Sequence, residues 1–328
     1  MWTWYNHLER RAGGKPILRI SVDETSLCLV PRQPRGNVFA KSSVSRKASL
    51  ASRRTCFTHV ACVVDDPEIQ FIVPQFIIMN ERCCRASELE KLRSALPANF
   101  TLLRKKSAWS NSDICSEYVV ALRSALEPFV GSHSVCLLWD AAKIHASRKV
   151  LSTCRDAGFN VISIPPPTTS KLQVLDTHVF SRYKSQLAEE LQCEQLRTSV
   201  PVPAIGEFFG CVVRAVRNVF ERTTWARAFD DNGFGRRQNG VSRRVHAALG
   251  GGFPVVSDDL SRENVKLCFP KRAHVHWDLL LPFPLIEVLT FVFHASLVRL
   301  ISPAKGKAHG GLGAGAWAGR LRPRTAPK

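Results

Sequence analysis

The chain has 328 residues, 45% of them hydrophobic, and its 46 Lys and Arg outnumber 27 Asp and Glu to leave a formal net charge of +19. That length allows one large domain or two ordinary ones with a real core, and so large a positive charge points to a polyanionic partner such as nucleic acid while saying nothing about fold. The 11 cysteines lack C-x-x-C spacing, which speaks against a disulfide scaffold or a paired-ligand zinc site and for reduced thiols in the cytosol or nucleus; the opening MWTWYNHLERRAGG lacks the unbroken apolar run of a signal peptide.

Residues 17–30, ILRISVDETSLCLV, read as a strand that passes Asp23. Residues 31–54 carry Arg46, Lys47, Arg53 and Arg54 among Ser, Pro and Gly with no acid, so they read as a basic loop. Two strands follow, 56–64 and 69–79, joined at Asp65-Asp66-Pro67. Pro74 falls inside the latter and cannot donate to a ladder, which predicts a sheet edge or a bulge there.

Residues 113–129 have helical apolar spacing, with Ser112 or Asp113 as N-cap. Strand 135–139, helix 146–157 and strand 160–164 then form a βαβ crossover, which implies parallel strands. After the Pro165-Pro166-Pro167 break, helix 177–191 carries Phe180, Tyr183, Leu187 and Leu191 on one stripe, with Asp176 at its head. The sum is a mixed α/β sheet covered by helices. Helical patterns continue past residue 200, and residues 302–328 form a basic, Gly/Ala/Pro-rich tail predicted to be disordered. The apolar stretch 279–301 is broken by Pro282, Pro284, Glu287, His294 and Arg299 and does not read as a membrane span.

Three acids stand out. Asp23 and Asp140 close apolar runs at or near strand carboxyl ends, where open α/β sheets gather ligands, and Asp176 opens a helix. Three carboxylates suffice to hold two Mg²⁺ ions about 3.5–4 Å apart for phosphodiester cleavage. Glu24 faces the other side of the strand and ranks below Asp23. His145 stands at the entry of the helix after Asp140, placed to orient a metal-bound water, contact a phosphate, or make a structural hydrogen bond. Thr169, Lys171 and Gln173 precede Asp176 and are phosphate-contacting types, although turn chemistry accounts for the hydroxyl equally well. His274 and His276 have no partner at zinc spacing.

The segments SVDETSL (21–27), KSAWSNSDICSEYV (106–119), LLWDAAKIH (137–145), IPPPTTSKLQVLDTHVFSRYK (164–184) and, more weakly, RTTWARAFDDNGF (222–234) resemble the DDE-superfamily endonuclease domain of pogo- and Tigger-type transposases, within the mariner-related superfamily. The resemblance implies an RNase H-like mixed five-stranded sheet flanked by helices over residues 15–237. Residues 238–301 then form a C-terminal extension of uncertain, helical character ahead of the tail. It further implies Asp23, Asp140 and Asp176 as catalytic metal ligands for Mg²⁺ or Mn²⁺, DNA as the partner, and a nuclear location. A homodimer is compatible with it, and neither a membrane nor a small-molecule cofactor is expected. Arg46, Lys47, Arg53, Arg54, Arg236 and Arg237 would contact the DNA backbone. The chain departs from the family pattern at Ala141 (usually Asn), Pro167 (usually Asn) and Val174 (usually Pro), and a helix-turn-helix region ahead of residue 15 is not expected. The alternative to a metal-dependent endonuclease is a catalytically inactive, domesticated or decayed DNA-binding protein, and a third reading is an RNase H-like nuclease acting on RNA or hybrids.

Overall fold

The structure, a computed structural model, describes residues 2–29, 56–200, 202–235 and 242–248. Runs of Ile, Val, Leu and Cys with alternating burial give six strands: β1 (Ile17–Cys28), β2 (Cys56–Val64), β3 (Gln75–Asn80), β4 (Phe100–Lys105), β5 (Ser134–Asp140) and β6 (Asn160–Ile164). The helices are α1 (Trp2–Arg11), α2 (Ala86–Ala95), α3 (Ser112–Ala125), α4 (Arg148–Asp156), α5 (Phe180–Thr198), α6 (Ile205–Val216), α7 (Ala226–Asp231) and α8 (Arg243–Ala248), with shorter helical turns between some of them.

All six strands join one sheet in the order β4-β3-β2-β1-β5-β6. β2 runs antiparallel to both β1 and β3, whereas the β3–β4, β1–β5 and β5–β6 pairs are parallel. This is the mixed sheet of an RNase H-like fold. It has one strand more than the five expected, because the short run FTLLRK, polar at its end, forms β4.

That extra strand also overturns the reading of Pro74. The proline precedes β3 rather than interrupting it, residues 67–73 form a turn, and β4 covers the edge that Pro74 was expected to mark. The Pro74 carbonyl accepts from the Tyr118 hydroxyl at 3.1 Å. Past the Val60–Phe76 pair the β2–β3 ladder stops, and side-chain amides take over. Gln75 Oε1 accepts from the Cys62 N–H at 3.2 Å, and the Cys62 carbonyl accepts from Gln75 Nε2 at 3.0 Å. Gln70 Oε1 likewise accepts from the Val64 N–H at 2.8 Å. Backbone groups that would be buried and unpaired are thereby satisfied. Asn111, rather than Ser112 or Asp113, caps α3, accepting from the Asp113 and Ile114 N–H groups.

Helices cover both faces. One buried cluster holds Leu138 and Ile164 with Leu175, Tyr183, Leu187 and residues of α6; Tyr5 and Leu8 of α1 belong to it as well. The opposite cluster packs Leu18, Ile20, Val22, Leu137 and Trp139 against Tyr118 and Leu122 of α3 and Val150 of α4. Among the described residues no helix is long and apolar enough to cross a membrane. The stretch 279–301, the basic loop with Arg46, Lys47, Arg53 and Arg54, the pair Arg236 and Arg237, and the tail lie outside the described residues.

His59 of β2 ties α5 to the sheet. Its Nε2 faces Gln75 Oε1 at 3.0 Å and its Nδ1 faces the Tyr183 hydroxyl at 3.1 Å. The two Cys62 contacts fix the Gln75 amide with oxygen toward the ring, so Nε2 donates and Nδ1 accepts from Tyr183. Burial pushes the His59 pKa down to about 4, with the Gln75 contact opposing weakly.

Tyr183→Phe leaves Nδ1 buried without a donor and is expected to lower stability by about 1–3 kcal/mol in urea unfolding. The depressed His59 pKa means that the unfolded chain binds the extra proton first. Its contribution to stability is therefore complete above about pH 6.5 and drains away as pH falls toward 4. His59→Gln should flatten that part of the stability–pH curve, measured as the difference between the two proteins' unfolding midpoints.

Candidate active site

Parallel pairing of β1 with β5 sets Ser21 opposite Leu138. Side chains alternate along a strand, so two residues further on Asp23 and Asp140 emerge beside each other on the same face of the sheet. That face is the one on which α5 packs, as Tyr183 and Leu138 share its cluster. Glu24 emerges on the other face, as its place in the alternation requires.

Asp176 arrives from a different direction. After β6 the chain passes through Pro165, a 3₁₀ turn at Pro166–Thr168 and a helical turn at Thr169–Leu172, then enters a π-helical turn at Leu175–Val179 ahead of α5. Single π turns within α-helices are frequent at functional sites because the wider turn re-aims one side chain. Here Leu175 and Val179 are buried and Asp176 is left at the open rim, more exposed than the sheet-facing placement its position at the head of the stripe suggested.

Two side chains hold this segment against the strands. Gln173 is fully buried, and its Nε2 donates to the Val22 carbonyl at 2.7 Å, next to Asp23. Asn232, buried after α7, donates through Nδ2 to the Leu172 carbonyl at 3.0 Å and to Thr177 Oγ1 at 2.9 Å. Gln173 is thus a positioning residue in this geometry. Thr169 donates its hydroxyl to the Pro166 carbonyl at 3.0 Å, a turn contact, and Lys171 lies half-buried in the same turn. Val174 is buried in the core.

The electrostatics of the cluster follow from three carboxylates and few cations. Burial, followed by the negative charges of Asp176, Glu24 and Asp140, pushes Asp23 up to about 8 even though Asp23 Oδ1 accepts from the Glu24 N–H at 2.8 Å. Burial also raises Asp176; Asp140 adds to the rise and Lys184 opposes it. Asp140 behaves differently. Burial works to raise it, but the hydrogen bond and charge of His145, with the Ala142 N–H at 3.2 Å, outweigh burial and hold it below the usual carboxylate range.

His145 supplies that counter-charge. Its Nδ1–H donates to Asp140 Oδ1, and its Nε2–H faces Glu24 Oε1 at 3.1 Å. Burial favours the neutral ring, yet the bonds to Asp140, Cys115 and Glu24 prevail and raise its pKa to about 12. The ring stacks on Trp139 with centroids 4.1 Å apart and planes 27° from parallel. A buried imidazolium therefore bridges an acid on each face of the sheet. Of the three roles open to His145 in the sequence, the hydrogen-bonding one is realised, and Glu24 is its second acceptor. Neither Glu24 nor Asn232 was singled out by spacing, since both act through partners distant in sequence.

The cluster's coupling does not amount to tight convergence of all three aspartates. Among the described residues, the group of three whose ligand atoms all lie within 4.8 Å of one another is Glu24, Cys115 and His145. Asp23, Asp140 and Asp176 are not such a group; what links them is the mutual repulsion of their charges.

The family described as DDE superfamily endonuclease matches residues 57–229, more than half of the chain; the match includes Asp140 and Asp176 and starts after Asp23. Among solved structures, the Mos1 transposase paired-end complex with left transposon end is similar at 17% identity and TM-score 0.36, over 72% of this chain and 61% of that one. The Mos1 strand transfer complex gives 17% and 0.36, over 70% and 60%. The Mos1 mariner paired end complex with Mn gives 18% and 0.36, over 70% and 60%. The chain therefore spans about three-fifths of the length of these structures. No curated protein matches the chain.

A carboxyl whose folded pKa is raised costs nothing below its unfolded value near 3.8 and destabilises progressively as pH rises toward about 8. Asp23→Asn is accordingly expected to stabilise the metal-free protein at pH 8 by on the order of 2 kcal/mol after allowance for solvent screening, and to have little effect at pH 3.5. Chemical denaturation in the presence of a chelator at the two pH values measures it.

Proposed function

Because this chain belongs to the DDE superfamily endonucleases, we propose that Asp23, Asp140 and Asp176 form a two-metal centre that cleaves DNA phosphodiester bonds, in a protein of the pogo and Tigger type acting in the nucleus. The observation that carries this reading is the register of β1 on β5, which sets two carboxylates side by side opposite a third at a π turn. A homodimer on DNA is compatible with it.

The donor set fits hard divalent cations such as Mg²⁺ or Mn²⁺. All three donors are carboxylates, two of them hold their protons more tightly than usual because they are buried and face like charge, and a divalent ion would offset that charge. Gln173 Oε1, buried and without a donor among the described residues, is a further acceptor next to the site. When bound, such ions polarise the scissile phosphate and make water acidic enough to attack it.

The chain's own residues account for the rest. His145, locked between Trp139, Asp140 and Glu24, fixes which oxygen of Asp140 remains free to bind. Gln173 and Asn232 keep the loop bearing Asp176 at a fixed height over β1. Arg46, Lys47, Arg53, Arg54, Arg236 and Arg237, together with Thr169 and Lys171, would contact backbone phosphates and contribute a sequence-independent, salt-sensitive share of affinity.

Asp23→Asn, Asp140→Asn and Asp176→Asn should each lower Mg²⁺- or Mn²⁺-dependent nicking of supercoiled plasmid by at least about a hundredfold while leaving DNA binding within a fewfold. Nicking by the triple variant at the wild-type rate would overturn the assignment. Binding of DNA without any cleavage by the wild type would instead identify a silent DNA-binding protein, and cleavage confined to RNA or hybrids would reassign the substrate.

A further inference from the structure

The group formed by Glu24, Cys115 and His145 is chemically unlike the aspartate cluster it adjoins. Its members come from three separate elements: β1, the first turn of α3, and the loop between β5 and α4. Each offers one ligand atom, and all three atoms lie within 4.8 Å of one another. Cys115 and His145 are buried, and the Glu24 side chain is 18% exposed.

We propose that Glu24, Cys115 and His145 bind a thiophilic divalent cation of the zinc class, at a site separate from the hard-metal centre of Asp23, Asp140 and Asp176. A thiolate–imidazole–carboxylate set with room for a water is a three-ligand zinc arrangement, and a thiolate is a poor ligand for Mg²⁺. Around a tetrahedral ion with bonds of about 2.0–2.3 Å, ligand atoms stand roughly 3.3–3.8 Å apart. Glu24 Oε1 and His145 Nε2 are already 3.1 Å apart, so closure needs small side-chain rotations and no movement of the strands.

The surroundings are those of a supported ligand set. His145 presents Nε2 to the group while Nδ1–H is held by Asp140, the carboxylate–histidine pairing that orients imidazole on zinc. Trp139 fixes the plane of the ring. Ser110 Oγ lies 3.3 Å from Cys115 Sγ and can donate to it once the sulfur is ionised. Binding displaces one proton from Cys115 Sγ and one from His145 Nε2 to solvent, so a divalent cation replaces two protons and the local charge is unchanged. The shared Asp140–His145 bond then links occupancy of this site to the position of the Asp140 carboxylate. The inference does not depend on the cleavage reading.

Co²⁺ titration of the reduced, chelator-treated full-length protein tests it, because thiolate ligation gives an intense near-ultraviolet charge-transfer band irrespective of catalysis. One equivalent should produce the band even in excess Mg²⁺, and stoichiometric Zn²⁺ should abolish it. Cys115→Ala should remove the band and weaken Zn²⁺ binding by about a hundredfold or more, and Asp140→Asn should weaken it about 10–100-fold. X-ray absorption at the zinc edge of the wild type, which needs no variant to fold, should show one sulfur among nitrogen and oxygen ligands. An unchanged band in Cys115→Ala, no band in the wild type, or a zinc shell with several sulfurs or none would each overturn the proposal.

Discussion

The parallel pairing of β1 with β5 is the constraint on which the rest of the structure depends. Once Ser21 lies opposite Leu138, alternation leaves no freedom over which face receives Asp23 and Asp140 or which receives Glu24 and Trp139. A slip of β1 by one residue would carry Asp23 to the face packed by α3 and α4, away from Asp140, and would turn Leu18, Ile20 and Val22 away from their cluster. Apolar burial on both faces therefore enforces the placement of the acids. The geometry of the cluster is a by-product of packing that would be required in any case.

Placing the acids in this way has an electrostatic cost that the protein meets unevenly. Asp140 is held ionised by the buried imidazolium of His145, whereas Asp23 has like charges around it and a single backbone N–H in its favour. The cluster is thus pre-set at one ligand and unsatisfied at another, an asymmetry suited to receiving cations. Glu24 shares the imidazolium from the far face, so the two faces of β1 are joined by one ring. Arg19 is another well-partnered buried charge, bonded to Asp65 at 2.5 Å and to Asp230 at 2.8 Å.

Much of the sheet and the order of its acids were legible in the sequence from apolar runs; Asp140 does close β5, whereas β1 runs on past Asp23 to Cys28. Residues 56–64 and 160–164 matched their strands in extent for the same reason. Pro74 misled because a proline marks where a ladder cannot start, and the ladder starts one residue later. β4 was missed because FTLLRK is short and mostly explained by its neighbours. Gln75, Gln173 and Asn232 do their work through backbone groups of other elements, which leaves no periodic trace. Cys115 could not be associated with His145 and Glu24 from spacing, since the zinc signatures readable in sequence are local and this group is assembled by the fold alone. The resemblance to DDE endonucleases rested on five segments, and the family match takes in 106–119, 137–145 and 164–184 whole, part of 222–234, and none of 21–27.

At the end of the sheet remote from the aspartates, Arg19 and Tyr5 converge on the carbonyl of Phe234, which Tyr5 meets at 3.1 Å, and the Arg19 guanidinium lies over the Phe229 ring. These contacts span more than 200 positions of chain. Contacts of such sequence separation carry a loop-closure entropy that local pairings do not. Until it closes, Arg19 has one of its anionic partners missing, and Asn232 is not yet in place under the loop that carries Asp176. A chain that ended after α5 would carry all three aspartates and still lack the Asn232 amide that holds the loop bearing Asp176.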